Sequence, residues 1–164
     1  MRFESMKDIK AEGFTGFEKI GALMSNECVN VPNVKGIYLV LINEKPNFLE
    51  KNTGGHFKRK NPTVPISILE SNWVDNAIVI YIGKAGGGTS KATLKSRLKQ
   101  YMKFGSGQPV GHWGGRLIWQ LSDNKEFTIC WKATPNDNPR ELEKDLIAEF
   151  ENNYSKKPFA NLQG

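Results

Sequence analysis

The chain has 164 residues, 23 lysines and arginines against 17 aspartates and glutamates, a net charge of +6 and two cysteines. That length fits one domain of ordinary size and is too short for a TIM barrel or a comfortable two-domain dehydrogenase. No apolar run approaches the ~20 residues that cross a bilayer. The start lacks a secretory apolar segment, and Cys28 and Cys130 stand too far apart for a CxxC redox pair or a cysteine zinc site, so a cytoplasmic protein without a disulfide framework is expected.

Thr15-Gly16-Phe17-Glu18 has capping-box spacing, and Ile20, Leu23 and Met24 follow at helical spacing. This predicts a short helix within an N-terminal extension over 1–33. Asn30 to Asn33, with Pro32, reads as a loop. Gly36 to Ile42 is an apolar, β-branched run and predicts a buried strand. Residues 43–76 carry Pro46, Gly54, Gly55, Pro62 and Pro65. A segment of that length is functional or holds structure of its own, and 66–73 supplies one short helix. Ala77 to Ile82 is a second buried strand running into Gly83-Lys84-Ala85-Gly86-Gly87-Gly88. Thr89 or Ser90 then caps a helix through about Phe104, with Leu94, Leu98 and Tyr101 on its apolar face. Arg116–Leu121 and Phe127–Trp131 read as a hairpin around Ser122-Asp123-Asn124. Asn138-Pro139 is an N-cap followed by proline at the first helical position, opening a helix to about Tyr154. Pro158 to Asn161 is an ordered tail. The pattern is α+β: a single domain over 1–164 with a small mixed or antiparallel sheet flanked by helices.

Charge is unevenly placed. Lys84, Lys91, Lys95, Arg97, Lys99, Lys103 and Arg116 lie between 84 and 122 with no aspartate or glutamate among them, so the remainder of the chain is slightly acidic. Such a cluster is either a solvated basic face or a phosphate-binding surface. Lys91, Lys95, Lys99, Lys103, Arg116 and His112 are the candidate nucleic-acid contacts, with Trp113 and Trp119 nearby either as packing or as base-stacking partners. The glycine-rich loop fails the Walker A pattern, because Thr89 follows Gly88, and it fails the dinucleotide pattern, because position 85 is alanine. His56 and His112 lack a second ligand at metal spacing, and no G-x-S-x-G elbow occurs.

Two short strand motifs carry the sharper signal. Gly36-Ile37-Tyr38 lies in the first strand and Tyr81-Ile82-Gly83 ends the second. Arg97 and Tyr101 share a face of the next helix, Glu143 lies on the last long helix, and Asn161 follows Pro158. Taken singly, Tyr38 and Tyr81 are strand aromatics, Arg97 is a surface charge, and Glu143 is one of several carboxylates on a helix face. In this order they resemble the GIY-YIG nuclease superfamily over about Gly36 to Asn161, and most of all the nuclease domain of bacterial excision-repair incision enzymes. The sequence departs from that pattern in the tens of residues between the two motifs, read as an insertion over 43–76. The gap from Tyr81 to Arg97 is also longer. Tyr101 stands where many relatives have histidine.

The resemblance implies a divalent-metal-dependent DNA endonuclease that hydrolyses phosphodiester bonds and leaves a 5′ phosphate. It implies Tyr38, Tyr81, Arg97 and Glu143 as catalytic residues, supported by Lys84, Tyr101 and Asn161, with one Mg²⁺ or Mn²⁺ on Glu143. Tyr38 would activate water, and a phenol of pKa ~10 needs neighbouring positive charge to do so. The alternative is a catalytically inactive DNA-binding module on the same fold. Restriction or defence, repair and mobile-element roles all fit. Specificity would come from the insertion, with His56, Lys58, Arg59 and Lys60, from a second copy, or from a partner protein. The insertion would otherwise be a structural cover for the sheet edge.

Overall fold

The structure is a computed structural model that describes residues 3–162; Met1 and Arg2, part of the start read for a leader, lie outside them. Among the described residues, no helix is long and apolar enough to cross a membrane. Among the described residues, four strands form one antiparallel sheet in the order β1-β4-β2-β3: β1 Thr15–Lys19, β2 Gly36–Leu41, β3 Val79–Ala85 and β4 Thr128–Ala133. Five α-helices among the same residues surround it: α1 Met6–Ala11, α2 Ile20–Ser25, α3 Ile66–Asn72, α4 Leu94–Gly105 and α5 Pro139–Tyr154. The architecture is α+β.

Strand β2 is buried along its whole length because it is central and covered on both faces. Alternation sorts its side chains into two cores. Tyr38 and Val40 point toward α2 and α4, with Leu98, Tyr101 and Trp119. Ile37, Leu39 and Leu41 point toward Phe3, Ile9, Phe14 and Phe150 of α5. This explains why the strand reads as a continuous apolar run.

Three expectations need correction. Thr15 to Glu18 does not cap a helix. It pairs with β4 as an irregular edge strand in which Gly16 and Phe17 take left-handed φ of 91° and 54°. The helix begins only at Ile20, where Ile20 and Leu23 bury. Arg116–Leu121 is not half of a hairpin: Arg116–Gln120 is a 3-10 turn with Leu117, Ile118, Trp119 and Gln120 all buried, and β4 pairs with β1 and β2 instead. Continuous burial without alternation suits a turn wedged in a core better than an edge strand. Helix α4 is capped by Thr93, with a capping box to Ser96, because the glycine-rich segment closes its own turn first through Ser90 N–H to the Gly87 carbonyl. Helix α1, capped by Ser5, carries little apolar periodicity in the sequence, since of its six residues only Ile9 is buried.

The 43–76 segment packs on α4 and the 3-10 turn. Buried Gln120 clamps it: its amide oxygen accepts from Val64 N–H, and its Nε2 donates to the Leu49 and Val64 carbonyls at 3.0 and 2.8 Å. The tail meets the β3 edge, with Ala160 N–H donating to the Ile80 carbonyl.

Candidate active site

The two motif glycines have the same physical cause, close approach. Gly36 faces the Lys132 carbonyl and Leu94, and any Cβ there would collide with both. In the β2–β3 ladder Tyr38 sits directly opposite Gly83. The Tyr38 ring lies across that glycine in the space a Cβ would fill. Tyr81, two residues before Gly83, therefore emerges on the same face, and the two rings meet edge to face with centroids 6.0 Å apart.

These phenols form the back of an open cleft of ≈ 460 Å³ lined by Lys84, Arg97, Gln100 and Glu143 as well. Four elements contribute: β2, β3, α4 and α5. Arg97 is held by one Nη1 that donates to the Gly111 carbonyl and to Gln100 Oε1, both at 3.1 Å. Its other N–H groups have no protein partner among the described residues. Glu143 is half-buried. Burial raises its pKa, while Lys84, Arg97 and Arg140 act to lower it. None of the described residues forms a hydrogen bond or ion pair with this carboxylate.

Tyr38 is fully buried and Tyr81 is 7% exposed. The Tyr38 hydroxyl lies 2.9 Å from His112 Nε2, and His112 Nδ1 lies 2.9 Å from the Gly114 carbonyl. A carbonyl only accepts, so Nδ1 carries the proton. Burial, reinforced by Arg97, holds His112 well below its ordinary pKa and keeps it neutral. Nε2 is then the acceptor, and Tyr38 donates to it. Arg97 acts to lower both tyrosine pKa values, and burial outweighs it. Burial pushes Tyr38 well above 10.0, with Tyr81 adding to the rise and Arg97 opposing it. Burial and Glu143 push Tyr81 up to about 12, against Arg97 and the hydroxyl of Tyr38.

Other candidate residues fall in different places. His112 is fully buried with both ring nitrogens engaged, so it offers no face to nucleic acid; its partner is Tyr38. Tyr101 is fully buried, donates to the Gly115 carbonyl at 2.7 Å, and stacks on His112 with centroids 3.9 Å apart. It therefore orders the imidazole and does not reach the cleft. Asn161 ties the tail to β3: its Oδ1 accepts from Ile82 N–H at 2.9 Å and its Nδ2 donates to the Ile82 carbonyl at 2.8 Å. Lys99 and Lys103 line a separate groove with Leu23, Glu27 and Cys28, and Lys95 shares their helical row, away from Arg97 and Gln100. Lys91 is exposed in the loop before α4. Arg116 lies over the Trp113 ring, 4.5 Å from its centroid. The Tyr38–His112 pair was the functional relationship missed in the sequence. The two residues are 74 positions apart, and no spacing rule links them.

No group of three or more His, Cys, Asp or Glu side chains forms a metal cage among the described residues. A single unpaired carboxylate beside an open cleft fits a hard divalent cation that keeps waters and takes further oxygens from a phosphate. Such a cation would be held by Glu143. No family model, curated protein or solved structure matches the chain.

Proposed function

We propose that the chain is a divalent-cation-dependent DNA endonuclease of the GIY-YIG type. The observation that carries this reading is the convergence of two phenols, an ammonium, a guanidinium and an unpaired carboxylate on one cleft. Phosphodiester hydrolysis needs an activated water, donors on the phosphate oxygens and charge relief at the leaving oxygen. Arg97, anchored through one nitrogen, presents its remaining N–H groups to phosphate oxygens. Lys84 adds a second positive charge. Tyr38 accepts a proton from water while its own hydroxyl proton moves to His112 Nε2, so no free phenolate is required at rest. Tyr81, the more exposed phenol, positions the water. Mg²⁺ or Mn²⁺ held by Glu143, when bound, supplies charge stabilisation at the leaving oxygen.

Supercoiled plasmid nicking with Mg²⁺ or Mn²⁺ tests the reading. Wild type is expected to nick, and Glu143→Ala and Arg97→Ala are expected to lose activity. DNA binding by wild type without cutting in either metal would instead support an inactive binding module.

A further inference from the structure

The cleft does not stop at Glu143. A second one, of ≈ 650 Å³, shares Glu143 with the first and runs along the N-terminal half of α5. It is lined by three cations, Arg140, Lys144 and Lys157, and by one further carboxylate, Glu141. Arg140 and Lys144 are four residues apart and exposed, so both project from one side of the helix. Arg140 is near enough to Glu143 to act on its titration. The amino end of α5 adds its dipole: Asn138 caps it, accepting from Arg140 N–H at 3.1 Å, and the Gly87–Gly88 turn packs beside that end. The tail residues Asn161 and Leu162 form part of the cleft wall, and Asn161 is fixed to β3, so this wall is not a loose end.

Charged helix faces are commonly convex and solvated. Here the cations line a concavity that opens from the same carboxylate as the candidate active site. That continuity suits a polyanion longer than one phosphate. We infer that this second cleft binds the phosphates flanking the cut. One DNA strand then runs from Arg97 across Glu143 to Arg140 and Lys144. The inference rests on the nuclease reading for its ligand, but it concerns binding and is separable from cutting.

The test is equilibrium binding of a fluorescein-labelled DNA duplex to the full chain in EDTA, titrated with KCl, for wild type and R140S/K144S. Two lost phosphate contacts should reduce the slope of log K against log[salt] by about 2 and weaken binding equally for duplexes of different sequence. A charge-matched control, K45S/K125S, removes two cations from the opposite end of β2 and should leave the slope unchanged. R140Q/K144Q, which better preserves helix propensity, serves if the serine variant loses its fold. An unchanged slope in a folded variant overturns the inference, whether or not wild type cuts. A reduced slope in the variant, with a wild type that binds but never nicks, upholds the phosphate track and removes the nuclease reading. A wild type that binds no DNA overturns both.

Discussion

The hydroxyl of Tyr38 donates to Nε2 of His112 across 2.9 Å, with both side chains buried at the back of the cleft. Tautomer and direction follow from the Gly114 carbonyl, which claims the other ring nitrogen. The pair is buried polar chemistry at the back of a cleft, so each partner depends on the other. His112→Phe leaves the Tyr38 hydroxyl without its acceptor and should destabilise by about 1–3 kcal/mol. Adding Tyr38→Phe should recover part of that loss, a coupling of about 0.5–3 kcal/mol in urea denaturation. Strictly additive losses would show that the bond contributes nothing.

The same pair predicts a pH profile. Unfolded, His112 takes up a proton as pH falls below 6.5, whereas the folded form resists it. The unfolded state then binds more protons, so this contribution is complete above about 6.5 and is lost as pH drops below it. Tyr38 and Tyr101 work at the other end. Their folded pKa values lie well above 10.0, so the unfolded state ionises first, and stability falls as pH rises past about 10. Urea midpoints at pH 5.5, 7.5 and 10.5 should be highest at 7.5, and His112→Gln should flatten the acid side. A midpoint that holds from 7.5 down to 5.5 in wild type contradicts this assignment.

Arg97 is anchored on Gly111 and Gln100, and the rest of its fork has no partner among the described residues. Arg97→Ala should slow nicking by about 10²–10³-fold, the usual cost of one preorganised donor. Arg97→Lys should recover little of it, because an ammonium cannot hold the backbone carbonyl and grip a phosphate as a fork does. Glu143→Gln keeps the shape and should abolish the response to added Mg²⁺ or Mn²⁺. Single-turnover nicking across a metal titration reads both.

Gly83→Ala places a methyl group where the Tyr38 ring lies. Overpacking of this kind costs about 1–3 kcal/mol. Because the ring must move, nicking should fall further than the stability loss explains. Thermal denaturation paired with nicking at a temperature where the variant is folded separates the two effects.

Asn161 closes the β3 edge with its side chain in place of a strand. Asn161→Ala leaves Ile82 N–H and C=O without these partners and should cost about 1–3 kcal/mol. Asn161→Asp keeps the acceptor and loses the donor, so it should fall between wild type and alanine. Faster amide hydrogen exchange at Ile82 in both variants is the direct readout.

Much of this protein was legible along the chain. The apolar run at 36–42 carries β2, a central strand covered on both faces, and the run at 77–82 leads into β3, an edge strand over Val79–Ala85 that is buried almost throughout, and Asn138-Pro139 opens α5 because the cap and the fixed proline φ act locally. Positions 38, 81, 97 and 143 were legible as candidates, since each lies in a short motif. Three things were decided only by tertiary structure. Thr15 to Lys19 became a strand because β4 offers an unpaired edge, which no local spacing records. Arg116 to Gln120 became a buried turn because the 43–76 segment and α4 enclose it. His112 became the partner of Tyr38, and not a surface contact, because burial depends on what folds over a residue. Local rules set the central strand and the capped helices. Which faces close over one another, and therefore which groups lose water and find each other, depends on contacts that are remote in sequence. The net charge of +6 named an acidic partner only in general terms; the fold separates the cations into those on the Glu143 clefts and those on the far face of α4.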